Sequence, residues 1–217
     1  MRTLGNALVV TLLIGVVSAV AVTAGLSAEQ RTLTALTAPV QSLMSVTAPL
    51  VGIALVSPAH RSPAGWRLAR PLLTAVAVAV VVGIFGSFLC AAALVLAPSA
   101  AADRWSHLPA SVLGAVLVQV VAQLVGTGLG LLIRRRLLAF VASIVIPLGA
   151  WFILGAVDGL RPARALTPFG QVPVLLAGQL TGAPWGHWVV MVLIWCVGLN
   201  CAGVLRGRRR TSAAPIS

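Results

Sequence analysis

The chain has 217 residues, of which 59% are hydrophobic, and its mean hydropathy is +1.06. Its net charge of +12 comes from 15 arginines and three acidic residues, without a lysine. The arginines stand at the ends of long apolar runs, so the composition excludes an ordinary soluble domain and argues against a nucleic-acid partner.

Six apolar runs are long enough to cross a bilayer as helices, which takes about 20 mostly apolar residues each. None of them contains Asp, Glu, Lys or Arg, and none alternates as a barrel strand would. The predicted fold class is all-α: one polytopic transmembrane helical bundle over residues 1–217. In chain order the predicted spans are Asn6–Leu26, Pro39–Ser57, Pro71–Ala97, Ala110–Ile133, Leu137–Val157 and His187–Leu205.

The first run has one feature of a signal peptide, because Val22-Thr23-Ala24 resembles a cleavage site and Arg2 precedes the run. Its apolar stretch is longer than the roughly 7 to 15 residues of a signal peptide, which favours a retained span.

The connections between runs alternate in charge, which predicts the orientation. Basic residues mark the cytoplasmic side, so both termini are expected on the cytoplasmic side of the cell membrane. One set of connections carries eleven arginines and no acid: Arg2, Arg61, Arg67, Arg70, Arg134, Arg135, Arg136, Arg206, Arg208, Arg209 and Arg210. The other set carries Arg31, Arg104, Arg161 and Arg164 together with all three acids, Glu29, Asp103 and Asp158.

The sequence shows no arrangement of residues typical of catalysis, ATP binding or metal binding. A P-loop requires a lysine, so an ATP site is not expected in this chain, and we predict neither an enzyme nor a metal site. Cys90, Cys196 and Cys201 lie in predicted spans without metal-ligand spacing and are expected to be packing residues. A proton relay has no carrier in the spans, whereas sodium coupling through carbonyls and hydroxyls stays open.

Polar and small residues inside the spans are the candidates for function or packing. Gln119 and Gln123 share a face of the fourth span, and Asn200 lies in the sixth. Each is expected either to hold helices together or to line a substrate path. Gly126 and Gly130 predict a close helix contact. Pro49 and Pro147 are expected to kink their helices, a feature that can serve gating.

Two connections are expected to be structured. The basic loop Pro58–Pro71 either lies on anionic lipid or forms a short docking helix for a cytoplasmic partner. On the other side, Gln171–Leu180 predicts a short helix in the outer leaflet, and Trp185 and Trp188 mark the outer interface.

Four features follow one another between about Ala110 and Arg210: Gly126-Thr-Gly-Leu-Gly-Leu-Leu-Ile-Arg134-Arg135, a fifth span with Pro147, Leu166-Thr-Pro-Phe169 and a terminal Arg206-Gly-Arg-Arg-Arg210. In the order of these features the chain resembles an ABC-2-type transporter permease, the membrane subunit of an ABC exporter. The lysine-free, alanine-, valine- and arginine-rich composition is similar to that of actinobacterial proteins.

The resemblance implies two permease copies, as a homodimer or with a sister permease, and two cytoplasmic P-loop ATPase subunits that hold the ATP and Mg²⁺. It implies a coupling role for His60, Arg61, Trp66, Arg67 and Arg70. Gln119, Gln123 and Asn200 are then candidates for the path of a hydrophobic or amphiphilic substrate. The alternatives are a non-transporting membrane anchor or assembly partner, and a secondary carrier.

Overall fold

The structure is a computed structural model that describes residues 2–60, 69–177 and 183–212, and its regular elements in these ranges are all helical. Two 3-10 helices, Ser57–His60 and Asp158–Leu166, lie between α-helices, and a π-helical turn, Leu193–Gly198, joins the last two α-helices. The α-helices are α1 (Arg2–Gly25), α2 (Leu33–Val56), α3 (Ala69–Leu96), α4 (Leu108–Leu132), α5 (Arg136–Ala156), α6 (Pro168–Leu176), α7 (Ala183–Val192) and α8 (Leu199–Ser212).

Six helical stretches are long and apolar enough to cross a membrane. They are formed by α1 to α5 and by the combined stretch Trp185–Gly207, which runs through α7, the π-helical turn and α8. This confirms the predicted all-helical membrane architecture and the count of six spans. In five spans both predicted ends lie within two residues of the observed ends.

The second span differs from its prediction, because it begins at Leu33 instead of Pro39. Thr32 caps the helix: its Oγ1 accepts a hydrogen bond from the Ala35 amide at 3.2 Å. Proline is favoured in a first turn, which made Pro39 a reasonable start, but here Pro39 lies inside the helix. The earlier start adds six residues to the helix, of which Leu33, Leu36 and Thr37 are buried.

The centre of the bundle is formed by α2 and α4, which make the most extensive contact between any two described helices. On one side α1 and α3 pack on α2 around a buried apolar cluster, and on the other α8, α6 and α5 pack on α4. Large apolar side chains cover the outer faces of α1, α5 and the last span, which is the pattern expected of helices in contact with lipid. The apolar cluster contains Ala19, Leu33, Leu36, Val40, Met44, Val82, Cys90 and Leu94.

Arg31 joins two neighbouring connections at one end of the bundle. Its Nε donates to the Leu26 carbonyl at 3.1 Å and its Nη1 to the Pro98 carbonyl at 3.0 Å. The Arg31 carbonyl in turn accepts from Ser99 Oγ at 2.7 Å. These bonds satisfy carbonyls left open where α1 and α3 end, so they fix the ends of both helices relative to α2.

Candidate functional site

A stripe of polar side chains runs along α4 through the middle of the bundle. Gln119, Gln123 and Thr127 are spaced four residues apart, so they share one face, and all three are fully buried. Amides and hydroxyls inside an apolar bundle are costly unless they find hydrogen-bond partners. The partners of this stripe therefore show what each side chain does structurally.

Gln119 connects three helices through a second glutamine. Its Nε2 donates to the side-chain Oε1 of Gln41 on α2 at 2.8 Å and lies 3.2 Å from the Gln41 carbonyl. Gln41 Nε2 donates to the Gly83 carbonyl on α3 at 2.9 Å, and Ser87 Oγ donates to the same carbonyl at 2.9 Å. The pair of amides thus holds α2, α3 and α4 together in the apolar interior.

Asn200 connects the last span to α4. Its Nδ2 donates to the Leu124 carbonyl at 2.9 Å and to the Cys196 carbonyl at 2.7 Å. Its Oδ1 lies 2.9 Å from Thr127 Oγ1, which also lies 2.8 Å from the Leu124 carbonyl. The Cys196 carbonyl lies within the π-helical turn, where irregular helix geometry opens backbone groups to side-chain bonding.

Gln123 differs from its neighbours on the stripe. Neither its Nε2 nor its Oε1 has a hydrogen-bond partner among the described residues, and Gln119 Oε1 is also without one. An unpaired buried amide costs about 1–3 kcal/mol. The centre of the stripe is therefore where a ligand, water or another arrangement of the helices would gain hydrogen bonds.

Glycines allow α4 to approach its neighbours backbone to backbone. A Cβ on Gly126 would stand 2.6 Å from both Cα and the carbonyl oxygen of Pro49 on α2. A Cβ on Gly130 would stand 2.8 Å from Cγ2 of Val56. Gly128 faces the other way, where a Cβ would stand 2.7 Å from Cβ of Leu199 on α8. The structure thus places the two predicted packing glycines against α2.

A partly open cleft of about 50 Å³ lies between α2 and α5. Ser45 and Pro49 of α2 line it on one side, and Ser143 and Pro147 of α5 on the other. The two mid-helix prolines that stood out in the sequence thus border the same space. The remaining walls are apolar and come from α4, α6 and α7: Val118, Val121, Ala122, Val125, Pro168, Phe169, Val172, Leu175 and Met191.

The cap segment, Asp158–Leu176, covers this region without crossing the bundle and comprises the second 3-10 helix, Thr167 and α6. The Arg164 guanidinium carbon lies 4.2 Å from the ring centroid of Trp151 on α5, and its Nε donates to the Trp151 carbonyl at 3.1 Å. Trp195 Nε1 donates to the Leu166 carbonyl at 3.0 Å. The carbonyl of Leu175 abuts Gly114 of α4, where a Cβ would collide with it. The cap segment is thus fixed to α4, α5 and the last span.

The short helix of the cap segment does not match its predicted bounds. It was expected at Gln171–Leu180, whereas α6 is Pro168–Leu176. Thr167 caps it, accepting from the Gly170 amide at 3.1 Å, and Pro168 takes the first turn, where a missing N–H costs nothing. Residues 178–182 lie outside the described residues. Trp185 and Trp188 stack edge to face at the start of the last span, with centroids 5.4 Å apart.

Most of the predicted coupling residues lie outside the described part of the chain. Arg61, Trp66 and Arg67 belong to the gap between residues 60 and 69. The backbone of His60 ends the 3-10 helix after α2, and Arg70 is exposed in the first turn of α3. The coupling role of these five residues stays a prediction.

The cysteines lie where the sequence placed them, in three different helical segments of the spans. Cys90 and Cys196 are buried, as expected of packing residues, whereas Cys201 is exposed and departs from that expectation; all three are free thiols. Among the described residues no group of His, Cys, Asp and Glu has the arrangement of a metal site.

Gln41 of α2, the hydrogen-bond partner of Gln119, is a polar residue that the sequence reasoning missed. It lies in the second predicted span and carries the same signal as Gln119, an amide where only apolar residues are expected. Ser45 and Ser143 were also missed, and their signal is a serine four residues before a mid-span proline.

Comparison of the chain with protein-family models, with curated proteins and with solved structures found no match. The resemblance to ABC-2-type permeases therefore rests on the sequence motifs alone.

Proposed function

We propose that the chain is the permease subunit of an ATP-driven exporter in the cell membrane, and that separate cytoplasmic ATPase subunits supply the energy. The observation that supports this most is the cap segment, an ordered element too short to span that packs on α4 beside the cleft. A bundle built only as an anchor has no need of such an element. The sequence motifs of ABC-2-type permeases support the same proposal.

In this proposal the loop after α2 is the coupling element. ATP binding draws two ATPase subunits together and moves the segment from His60 to Arg70, which is continuous with α2 and α3. A shift of α2 changes its contact with α5 across Pro49 and Pro147. Ligand binding drives such a change only if the ligand binds one state more tightly than the other, so ATP must bind more tightly to the closed ATPase dimer that goes with the outward-open bundle.

The path in this proposal follows the polar stripe. Gln119, Gln123 and Asn200 would present amides to a hydrophobic or amphiphilic substrate when the helices separate. The unpaired amide of Gln123 supports this role, because a group without a partner in one state gains one in another. Two copies of the chain, or one copy with a sister permease, would complete the transporter.

A non-transporting membrane anchor or assembly partner is the second candidate. The hydrogen bonds of Gln119 and Asn200 favour it, since both side chains already hold neighbouring helices together. If the chain is an anchor, its deletion should release the partner protein from the membrane and leave export unchanged.

The test is mild-detergent purification of the tagged full chain from its native membrane, followed by mass spectrometry. We expect a stoichiometric P-loop ATPase with the wild type and its loss with a Trp66→Ala/Arg67→Ala/Arg70→Ala variant. The matched control, Arg206→Ala/Arg209→Ala, removes two arginines from another predicted cytoplasmic segment and should keep the ATPase. Repeated absence of an ATPase from intact wild-type protein, with another protein in its place, would favour the anchor.

A further inference from the structure

The cleft between α2 and α5 carries backbone acceptors that most transmembrane helices do not offer. In a regular helix each carbonyl accepts from the amide four residues later. Pro49 has no amide hydrogen, so the Ser45 carbonyl lacks that donor, and Pro147 likewise deprives the Ser143 carbonyl. All four of these residues line the cleft.

The serine hydroxyls add acceptors but no free donors. Ser45 Oγ donates to the Ser42 carbonyl at 2.7 Å, and Ser143 Oγ donates to the Phe140 carbonyl at 2.7 Å. Each hydroxyl has one hydrogen, which these bonds use, so only oxygen lone pairs remain for a ligand. The polar groups of the cleft are thus all acceptors, contributed in matching pairs by α2 and α5.

The ligand must then supply the hydrogen-bond donor. The uncharged walls of the cleft disfavour a ligand that carries a full charge. None of the described residues that line the cleft is charged, and its other walls are valine, alanine, leucine, proline, methionine and phenylalanine. A full positive charge would lack a counter-charge in this apolar setting and would be costly, whereas a neutral donor costs far less. The volume of about 50 Å³ suits a small polar head, since each water-sized group needs roughly 10–15 Å³.

We propose that the cleft binds an amphiphile through a neutral hydrogen-bond donor, an amide N–H or a hydroxyl, held by the Ser45 and Ser143 oxygens. The apolar tail lies along the valines of α4 and beside Phe169 of the cap segment. The inference rests on the proposed function in one respect: that function makes this ligand the transported substrate. Binding itself needs no ATPase and can be measured on the purified chain.

The probe is a photoreactive N-decyl acetamide with a diazirine in its chain, and the control probe is its N-methyl analogue, which lacks the N–H. Both are crosslinked to the full-length chain in lipid nanodiscs, and the labelled peptides are identified by mass spectrometry. We expect the secondary amide to label peptides around Ser45 and Ser143. The N-methyl probe should label them roughly three- to tenfold less, the effect of about one net hydrogen bond.

Proline substitutions provide the decisive variants. Pro147→Ala supplies an N–H that satisfies the Ser143 carbonyl, and we expect labelling by the amide probe to fall roughly three- to tenfold. Pro39→Ala is the matched control, because Pro39 also lies inside α2 but does not line the cleft. Ser143→Ala removes only the hydroxyl and should reduce labelling without altering the helix backbone.

Equal labelling by the two probes, or labelling unchanged in both Pro147→Ala and Ser143→Ala, would overturn the inference. The outcomes also separate it from the proposed function. Selective labelling of a chain that copurifies with no ATPase contradicts only the exporter, whereas a copurifying ATPase with unselective labelling contradicts only the cleft.

Discussion

The side chain of Gln41 accepts from Gln119 and donates to Gly83, so one amide joins three helices in an apolar interior. Interhelical hydrogen bonds in membrane proteins average about 0.6 kcal/mol in double-mutant cycles, because the unfolded chain also finds partners in the membrane. This pair therefore contributes modestly to stability, and its main effect is to specify which helices are neighbours.

Replacing Gln119 with leucine removes its bonds to Gln41 and leaves Gln41 Oε1 without a donor. We expect the free energy of unfolding to fall by about 1–2 kcal/mol. In a cycle with Gln41→Leu, the coupling energy should be about 0.6 kcal/mol and at most about 1.7 kcal/mol. The measurement is reversible unfolding in mixed micelles, and coupling indistinguishable from zero would contradict the pair.

Gln123→Leu is the matched control on the same face of α4. Its amide has no partner among the described residues, so the substitution removes an unpaired buried group and breaks no described bond. We expect the free energy of unfolding to stay unchanged or to rise. A loss as large as that of Gln119→Leu would mean that Gln123 is bonded after all.

Single residues show how far the sequence could predict the site. It marked Gln119 and Asn200 because amides are rare in spans, and both are buried at helix contacts. It could not show that Gln41 is the partner of Gln119, because that pairing depends on the rotation of α2 against α4. Their hydrogen bond spans 78 positions in the chain, and no local pattern encodes it.

At the scale of elements, glycine decides how closely α2 and α4 approach. Gly126→Ala would put a Cβ 2.6 Å from backbone atoms of Pro49, which cannot move aside as a flexible side chain would. We expect a loss of about 1–3 kcal/mol in the free energy of unfolding, as for other overpacked cores. Gly149→Ala in α5 is the control.

A Cβ at Gly149 would meet no atom within 4 Å, so its replacement changes only the backbone entropy. We expect Gly149→Ala to stabilise the protein by up to about 0.5–1 kcal/mol, because glycine inside a helix is less favourable than alanine. The two variants should therefore shift stability in opposite directions in the same unfolding assay. Shifts of the same sign and size would mean that the α2–α4 contact is looser than the structure has it.

Helix ends were harder to predict than helix number. Hydropathy identifies apolar stretches, and it predicted all six spans, but the start of α2 depends on the side-chain cap by Thr32, outside the apolar run. The π-helical turn Leu193–Gly198 has no composition signal, since its residues fit a regular helix equally well. The turn lies where Asn200 bonds to the Cys196 carbonyl, just before Leu199, which packs against Gly128 of α4.

At the scale of the whole molecule, six spans would put both termini on one side of the membrane, and the arginine bias predicts which side. Cytoplasmic connections retain arginine because basic residues resist translocation. The cap segment and the Arg31 contacts would then face outward, where the three acidic residues lie. Helix packing is nearly the same for either orientation, so the prediction depends on charge alone and requires a test in cells.

Two glycines suit that test, because each is exposed and a Cβ at either would meet no atom within 4 Å. In a chain whose three cysteines are replaced by alanine, Gly159→Cys should react with a membrane-impermeant maleimide in intact cells. Gly207→Cys, near the end of α8, should react only after the membrane is opened. Neither change alters the charge of a connection, so the topology signal is preserved. Labelling of Gly207→Cys in intact cells would mean that the orientation is the reverse of the predicted one. The basic loop before α3 would then lie outside, where no cytoplasmic ATPase could reach it.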